Sequence, residues 1–290
     1  MIRLLRFILQ HPLNRSNRLG ALTRLFCWQI AARLLRGPIA LPFVDGTFLF
    51  ASKGMSAATG NWYCGLYEVV EMAFALHLLR KDDHFLDIGA NIGSYTILAA
   101  GGVGARVTSV EPIPQTMANL KRNVDLNGLG DRATCVGKGL SNVVGVLHFS
   151  DSLDAMNHIL EPGSREVGIQ VPVTTVDQLV NDDVPVLIKL DVEGHEVAVL
   201  KGAQRVLSDP RLLAAIIETN GNGVRYGWSD DDVARIMEGY GFERSWYDPF
   251  SRTLTAPDAT QENTIFVRNR EEIQRRVKSA QKHTLVNGSI

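Results

Sequence analysis

Two hydrophobic periods alternate through the middle of this chain. Short, largely apolar runs bounded by turn residues lie at 84–88, 106–110, 133–136, 186–190 and 213–217. Runs of that length and content predict strands buried on both faces. Helical spacing separates most of them. Leu66, Val69, Val70, Ala73 and Leu76 precede the first run, and Met117, Leu120 and Val124 recur at i, i+3 and i+7 after the second. Pro114 suits the first turn of that second helix and Gly128 its end. Such alternation predicts an α/β fold with a mostly parallel sheet covered by helices on both faces. Residues 143–149 and 168–174 read as an extra strand pair inserted between the third and fourth parallel strands. Residues 242–247 and 264–268, joined by a turn-rich stretch, predict an antiparallel hairpin at the sheet edge. Five parallel strands and the hairpin make a seven-stranded sheet.

The flanks differ from this middle. Residues 1–37 carry seven arginines, no lysine and no acid, and the first carboxylate of the chain is Asp45. Ile2, Leu5, Phe7, Leu9, Leu22, Phe26, Ile30 and Leu34 interleave with the arginines, and His11-Pro12 divides the segment into two helices. Two readings stay open for this basic helical extension. It packs its apolar face on the main domain, or it lies on an anionic membrane surface or a partner. Residues 38–268 form the main domain. Residues 269–290 form a polar tail with a helix over 270–280 and a frayed end. No internal repeat is visible.

Composition narrows the classes. A chain of 290 residues with 45% hydrophobic and 21% charged residues is globular, not disordered. A net charge of −1 excludes a protein that binds nucleic acid by overall charge. Cys27, Cys64 and Cys135 stand far apart, which argues against a disulfide framework or a cysteine–zinc site and for a reducing, cytoplasmic setting. No apolar run reaches the roughly 18 residues that span a bilayer. The N-terminal apolar stretch is cut by Arg3 and Arg6 and lacks a nearby small-residue cleavage site, unlike a signal peptide.

The chemistry concentrates at strand ends. After the first strand, Asp87-Ile88-Gly89-Ala90-Asn91-Ile92-Gly93-Ser94 opens a helix. Glycines there let the backbone approach a ligand, and the helix start offers N–H groups. Glu111-Pro112 ends the next strand, about 20 residues on, where an acceptor for ribose hydroxyls belongs. Together they indicate an adenosine-containing cofactor. The dinucleotide fingerprint is absent, since the loop reads Gly89-x-Asn91-x-Gly93. Asp87 would repel a pyrophosphate but accept hydrogen bonds from an ammonium group. That charge logic favours S-adenosylmethionine (SAM) over a dinucleotide. No phosphate-binding Walker loop occurs anywhere in the chain.

These segments, with Ile188-Lys189-Leu190-Asp191-Val192-Glu193-Gly194-His195-Glu196 and the lead-in Thr59-Gly60-Asn61-Trp62-Tyr63-Cys64-Gly65-Leu66-Tyr67-Glu68, resemble the FkbM-type SAM-dependent methyltransferases over about residues 55–270. The resemblance implies a Rossmann-like class I methyltransferase fold. It also implies methyl transfer from SAM to oxygen, often on a sugar or polyketide hydroxyl. The cofactor-binding set is then Asp87, Gly89, Ala90, Asn91, Gly93, Ser94, Glu111 and Pro112. The acceptor is a small hydroxylated molecule such as a sugar, with no nucleic-acid partner.

Methyl transfer to a hydroxyl needs a positioned oxygen and a group that takes its proton. Asp191 at the tip of the fourth strand and His195 just beyond it are the candidate bases, and Glu218 at the fifth strand end is grouped with them as catalytic. Lys189, inside an apolar strand, needs a carboxylate partner, for which Glu218 is available. No metal is assigned, although Asp191, Glu218 and Asn220 offer the oxygen donors that Mg²⁺ selects. Asn61, Tyr63 and Tyr67 are placed to close over cofactor or acceptor, and residues 151–158 to shape an acceptor pocket. The competing functions are an N-methyltransferase acting on nucleic acid or protein, and a SAM-binding membrane-surface module without catalysis. Against the first stands Asp191-Val192-Glu193-Gly194 where a D-P-P-Y pattern belongs. Tyr247-Asp248-Pro249-Phe250 reads as a turn.

Overall fold

The computed structural model describes residues 2–150, 157–160, 167–256 and 262–290. The chain opens with α1 (Ile2–Gln10) and α2 (Arg18–Leu34), and Pro12 starts a short turn between them. Asn17 caps α2 by accepting from the Gly20 N–H. A hairpin of β1 (Ile39–Pro42) and β2 (Phe48–Ala51) follows, then α3 (Ser56–Cys64) and α4 (Val69–Leu78). β3 (His84–Ile88), α5 (Ser94–Ile97), β4 (Arg106–Val110), α6 (Pro114–Leu126) and β5 (Ala133–Val136) make the first half of the main domain. Pro114 stands in the first turn of α6, and Gly128 takes a positive φ just past its end.

The order of the second half is β6 (Gly139–Leu140), β7 (Gly145–Ser150), β8 (Gly168–Thr174), α7 (Val176–Val180), β9 (Leu187–Leu190), α8 (Glu196–Lys201), α9 (Gln204–Ser208), β10 (Ala214–Glu218), α10 (Asp230–Gly239), β11 (Glu243–Asp248), β12 (Thr253–Thr255) and β13 (Asn263–Val267). The main sheet runs β12-β11-β13-β10-β9-β3-β4-β5. Its strands β10, β9, β3, β4 and β5 are parallel, and β13 is antiparallel to both β10 and β11. This is a Rossmann-like α/β fold. The order reverses between β3 and β9, so the cleft outside their carboxyl ends is where such sheets bind ligands. β3 and β9 are buried along their whole length, as their apolar runs require.

Three details differ from expectation. The edge hairpin carries an added strand, β12, so the sheet has eight strands. The inserted pair β7–β8 is joined by β6 into a separate three-stranded sheet. The tail is not frayed. After α11 (Arg270–Ser279), the strands β14 (Thr284–Leu285) and β15 (Gly288–Ser289) pair, and His283 and Ile290 are buried. His283 Nδ1 lies 2.6 Å from Asp45 Oδ2. Asn287 Nδ2 donates to Asn14 Oδ1 and to the carbonyls of Leu13 and Cys64. A polar tail stays ordered here because its amides complete the buried hydrogen bonds of the extension.

The N-terminal extension packs on the domain. Ile8, Ala21, Leu25 and Trp28 are buried in the same core as α3 and α4. Arg24 is buried too and donates to Asn14 Oδ1 and to the Tyr63 carbonyl.

Candidate active site

The loop after β3 turns with Gly89 and Asn91 at positive φ. Gly89 is obligatory on steric grounds: a Cβ there would lie 1.7 Å from the Asp191 carbonyl oxygen. The loops after β3 and β9 therefore touch backbone to backbone. Asn61, from α3, donates to Ser94 Oγ at 3.3 Å and accepts from the Tyr67 N–H at 2.8 Å, tying the lead-in segment to the start of α5.

Glu111 holds the loop from the other side. Its two carboxylate oxygens accept from the N–H groups of Asn91 at 3.0 Å and Ile113 at 2.9 Å. Burial pushes its carboxyl up to about 7. Each oxygen keeps a lone pair for a ligand hydroxyl. Gly89, Asn91, Glu111 and Pro112 line one cleft, and Asp191, Glu193 and His195 line its other wall. Phe149, Asn157 and Ile159 close it from the inserted sheet. Residues 151–156, expected to shape an acceptor pocket, lie outside the described residues.

Asp87 does not face the cleft. It is buried beneath the loop, where its Oδ2 accepts from Thr96 Oγ1 at 2.7 Å and Ser109 Oγ extends the chain. Burial pushes its carboxyl up to about 6. Ala90 and Ser94 are buried in the same loop, and Gly93 takes a positive φ there.

The acidic wall begins with Lys189. Its buried Nζ donates to Asp191 Oδ2 at 2.7 Å, so the partner is Asp191 and not the Glu218 expected from sequence. Residues i and i+2 of a strand share a face, which brings the two together. The Lys189 ammonium also lies 5.0 Å from the Tyr95 ring centroid. Burial opposes the charged amine, but Asp191 and Glu68 outweigh it and hold its pKa above the ordinary lysine value.

Beyond Asp191 the chain turns through Glu193 and Gly194, both at positive φ. Gly194 packs against the Asn222 backbone, leaving no room for a Cβ. Glu196 folds back to accept from the N–H groups of Val192 and Gly194, fixing this turn. Glu193 accepts from Asn222 Nδ2 at 3.0 Å. Burial, then Asp191 and Glu196, push the Glu193 carboxyl up to about 7.

Carboxylate oxygens of Asp191, Glu193 and Glu218 lie within 4.8 Å of one another. Glu218 accepts from Asn220 Nδ2 through one oxygen, and its other oxygen is buried without a partner. Burial, then Asp191 and Glu193, raise its pKa far above the carboxylate range, so Glu218 holds a proton at neutral pH. Asn220 Oδ1 accepts from the Asn222 N–H. Asp191, Glu193 and Glu218 are thus three carboxylates able to converge on a divalent cation, with the Asn220 amide beside Glu218. Lys189 and the proton on Glu218 already moderate the charge of these three.

His195 is partly buried at the start of α8. Its Nε2 lies 3.0 Å from Ser141 Oγ, and its ring meets the Tyr226 ring edge-on at 5.3 Å. Tyr226 is held by its hydroxyl donating to the Ile159 carbonyl. Nδ1 is buried without a partner, and burial lowers the imidazole to about 4. His195 is therefore neutral, and packing rather than solvent sets its orientation. Sequence reasoning missed Glu193 as a member of the acid trio and missed Ser141 and Tyr226 entirely. The Glu193-Gly194 pair was a turn signal, whereas nothing local marks the other two.

The description "Methyltransferase FkbM domain" matches residues 87–244, which contain the glycine loop, Glu111 and the whole acidic wall. The chain belongs to the FkbM methyltransferase domain family. A hexuronic acid methyltransferase, AglP, of Haloferax volcanii is 32% identical over 161 residues, 54% of this chain. The match spans 62% of that relative's length. Among solved structures, a precorrin-6y C5,15-methyltransferase from Geobacter metallireducens overlays at a TM-score of 0.41 with 12% identity, covering 70% of this chain and 87% of the other. A TehB-like SAM-dependent methyltransferase from Corynebacterium glutamicum gives 0.40 with 15% identity, covering 70% and 89%.

Proposed function

We propose that this protein transfers a methyl group from SAM to a hydroxyl oxygen of a carbohydrate or another small hydroxylated metabolite. The observation that carries the reading is the cleft itself: Glu111 braces the FkbM glycine loop on one wall, and a carboxyl trio forms the other. Gly89, Asn91 and Glu111 are assigned to the cofactor, with Glu111 accepting from its ribose hydroxyls. Bound SAM supplies the electrophilic methyl carbon.

The acceptor hydroxyl is assigned to the acidic wall. Carboxylates accept from hydroxyl groups, and a protonated Glu218 donates, a pairing suited to a polyol. Asp191, with Oδ2 bound to Lys189 and Oδ1 making no hydrogen bond among the described residues, is the general base. Neutral His195 orients the acceptor. The acid-lined wall favours a hydroxyl over a carboxylate as the oxygen methylated, since it would repel an anionic nucleophile. It equally disfavours a nucleic-acid substrate, Lys138 being the one lysine or arginine lining the cleft among the described residues. The Haloferax relative's name supports a sugar acceptor. Cys27, Cys64 and Cys135 are all free, which fits a cytoplasmic site of action.

The test is transfer of labelled methyl from SAM to a panel of sugars and sugar conjugates. Label in an alkali-stable ether supports the reading. Label in a base-labile methyl ester, or in an amine, contradicts it.

A further inference from the structure

The second helix of the extension is apolar on two opposite faces. At about 100° per residue, Ala21, Leu25 and Trp28 fall on the side that is buried in the core. Leu19, Phe26, Ile30 and Leu34 fall on the opposite side and are 76%, 61%, 58% and 76% exposed. Core packing accounts for the first face and leaves the second uncovered. The same extension carries Arg3, Arg6, Arg15, Arg18, Arg33 and Arg36, all exposed. Among the described residues none of these six pairs with a carboxylate, whereas Arg106, Arg132, Arg211, Arg235, Arg244, Arg275 and Arg276 all do. A hollow of about 510 Å³ opens between α1, α2 and α3, with Arg3, Arg33 and Lys53 beside Phe7, Trp28 and Tyr67 on its walls. Among the described residues none lining it is acidic.

We infer that this face docks on an anionic phospholipid surface, the apolar stripe of α2 entering the interface and the arginines meeting lipid phosphates. The charge is complementary to that surface, and unpaired arginines flanking exposed Phe, Ile and Leu are the composition such helices use. Arginine also binds phosphate through paired N–H groups. Tyr67 lines the hollow, and its N–H donates to Asn61, which donates to Ser94 at the start of α5.

The full chain is tested by co-sedimentation with vesicles of phosphatidylcholine alone and of phosphatidylcholine mixed with phosphatidylglycerol, without SAM or acceptor. Failure here is therefore separable from failure of the proposed reaction. The wild type is expected to bind the anionic vesicles at least about tenfold more tightly than the neutral ones, an advantage that added salt erodes. Phe26→Asp with Ile30→Asp, and separately Arg3→Glu with Arg33→Glu, are each expected to weaken that binding by about tenfold or more while SAM affinity stays unchanged. No anionic preference, or no response to either pair, would overturn the inference. So would a wild-type dimer that Phe26→Asp with Ile30→Asp dissociates, with no vesicle binding, because a second copy would then cover the face.

Discussion

Lys189 Nζ lies 2.7 Å from Asp191 Oδ2, the lysine buried and the aspartate at the cleft. The lysine is the nearest counter-charge to a wall that also contains Glu193 and Glu218. Replacing it with Met leaves Asp191 unpaired beside the two glutamates. Removing one partner of a buried pair costs about 3–5 kcal/mol, and the partial exposure of Asp191 puts the expectation near the lower end, about 3 kcal/mol. Urea unfolding of Lys189→Met measures it. A loss below about 1 kcal/mol would mean that the pair is screened by solvent.

Asp191→Asn removes the proposed base while keeping its shape. A roughly 10²–10⁴-fold fall in kcat is expected, with SAM affinity little changed. The pH profile carries a second signature. Glu193 lines the same wall with its carboxyl at about 7. Its ionisation adds negative charge beside Asp191 and makes the latter a better base, so activity should rise as pH passes through about 7. Glu193→Gln should remove that limb. A limb that survives Glu193→Gln would have to be assigned to another group.

Charge on the acid trio is already met by Lys189 and by protonation of Glu218. Exhaustive chelation should therefore leave methyl transfer unchanged. Loss of activity on chelation, restored by Mg²⁺, would place a cation on Asp191, Glu193 and Glu218.

His77 offers a stability test remote from the site. It is fully buried, with Nδ1 2.7 Å from the Tyr247 hydroxyl, and burial lowers its imidazole from 6.5 to about 3. As pH falls below 6.5 the unfolded chain binds a proton that the folded chain refuses, so stability falls with pH down to about 3. Over that range the loss is about 1.4 kcal/mol for each pH step of one. The stability advantage of wild type over His77→Asn should therefore shrink by roughly 3 kcal/mol between neutral pH and about pH 4. Equal pH slopes in the two proteins would contradict the assignment.

Much of this architecture is legible in the chain. β3, β4 and β5 match the predicted runs at both ends, since apolar residues cluster there between turn residues. The hairpin over 39–51 carries a weaker signal. Asp45-Gly46 is a strong turn pair, but the stretches on either side of it lack a clean period. Asn287-Gly288 in the tail is a turn pair of the same kind. The Lys189–Asp191 pair follows from i, i+2 spacing on a strand. Sequence favoured Glu218 because it lies on the neighbouring strand, but Glu218 is instead a protonated acid bonded to Asn220. The inward turn of Asp87 was not readable, because its partners Thr96 and Ser109 come from α5 and β4. The Ser141 and Tyr226 contacts of His195 depend on how the inserted sheet and the loop after β10 pack, which no local pattern encodes.

SAM binding between the Gly89–Gly93 loop and Glu111 underlies every step assigned to the cleft. Calorimetric titration of the folded protein with SAM tests it most directly, alongside Glu111→Ala. Saturable one-site binding is expected, weakened about 10–100-fold by the substitution, the effect of losing hydrogen bonds to a charged group worth roughly 1.5–3 kcal/mol. A folded wild type that does not bind SAM, or binding indifferent to Glu111→Ala, would contradict it.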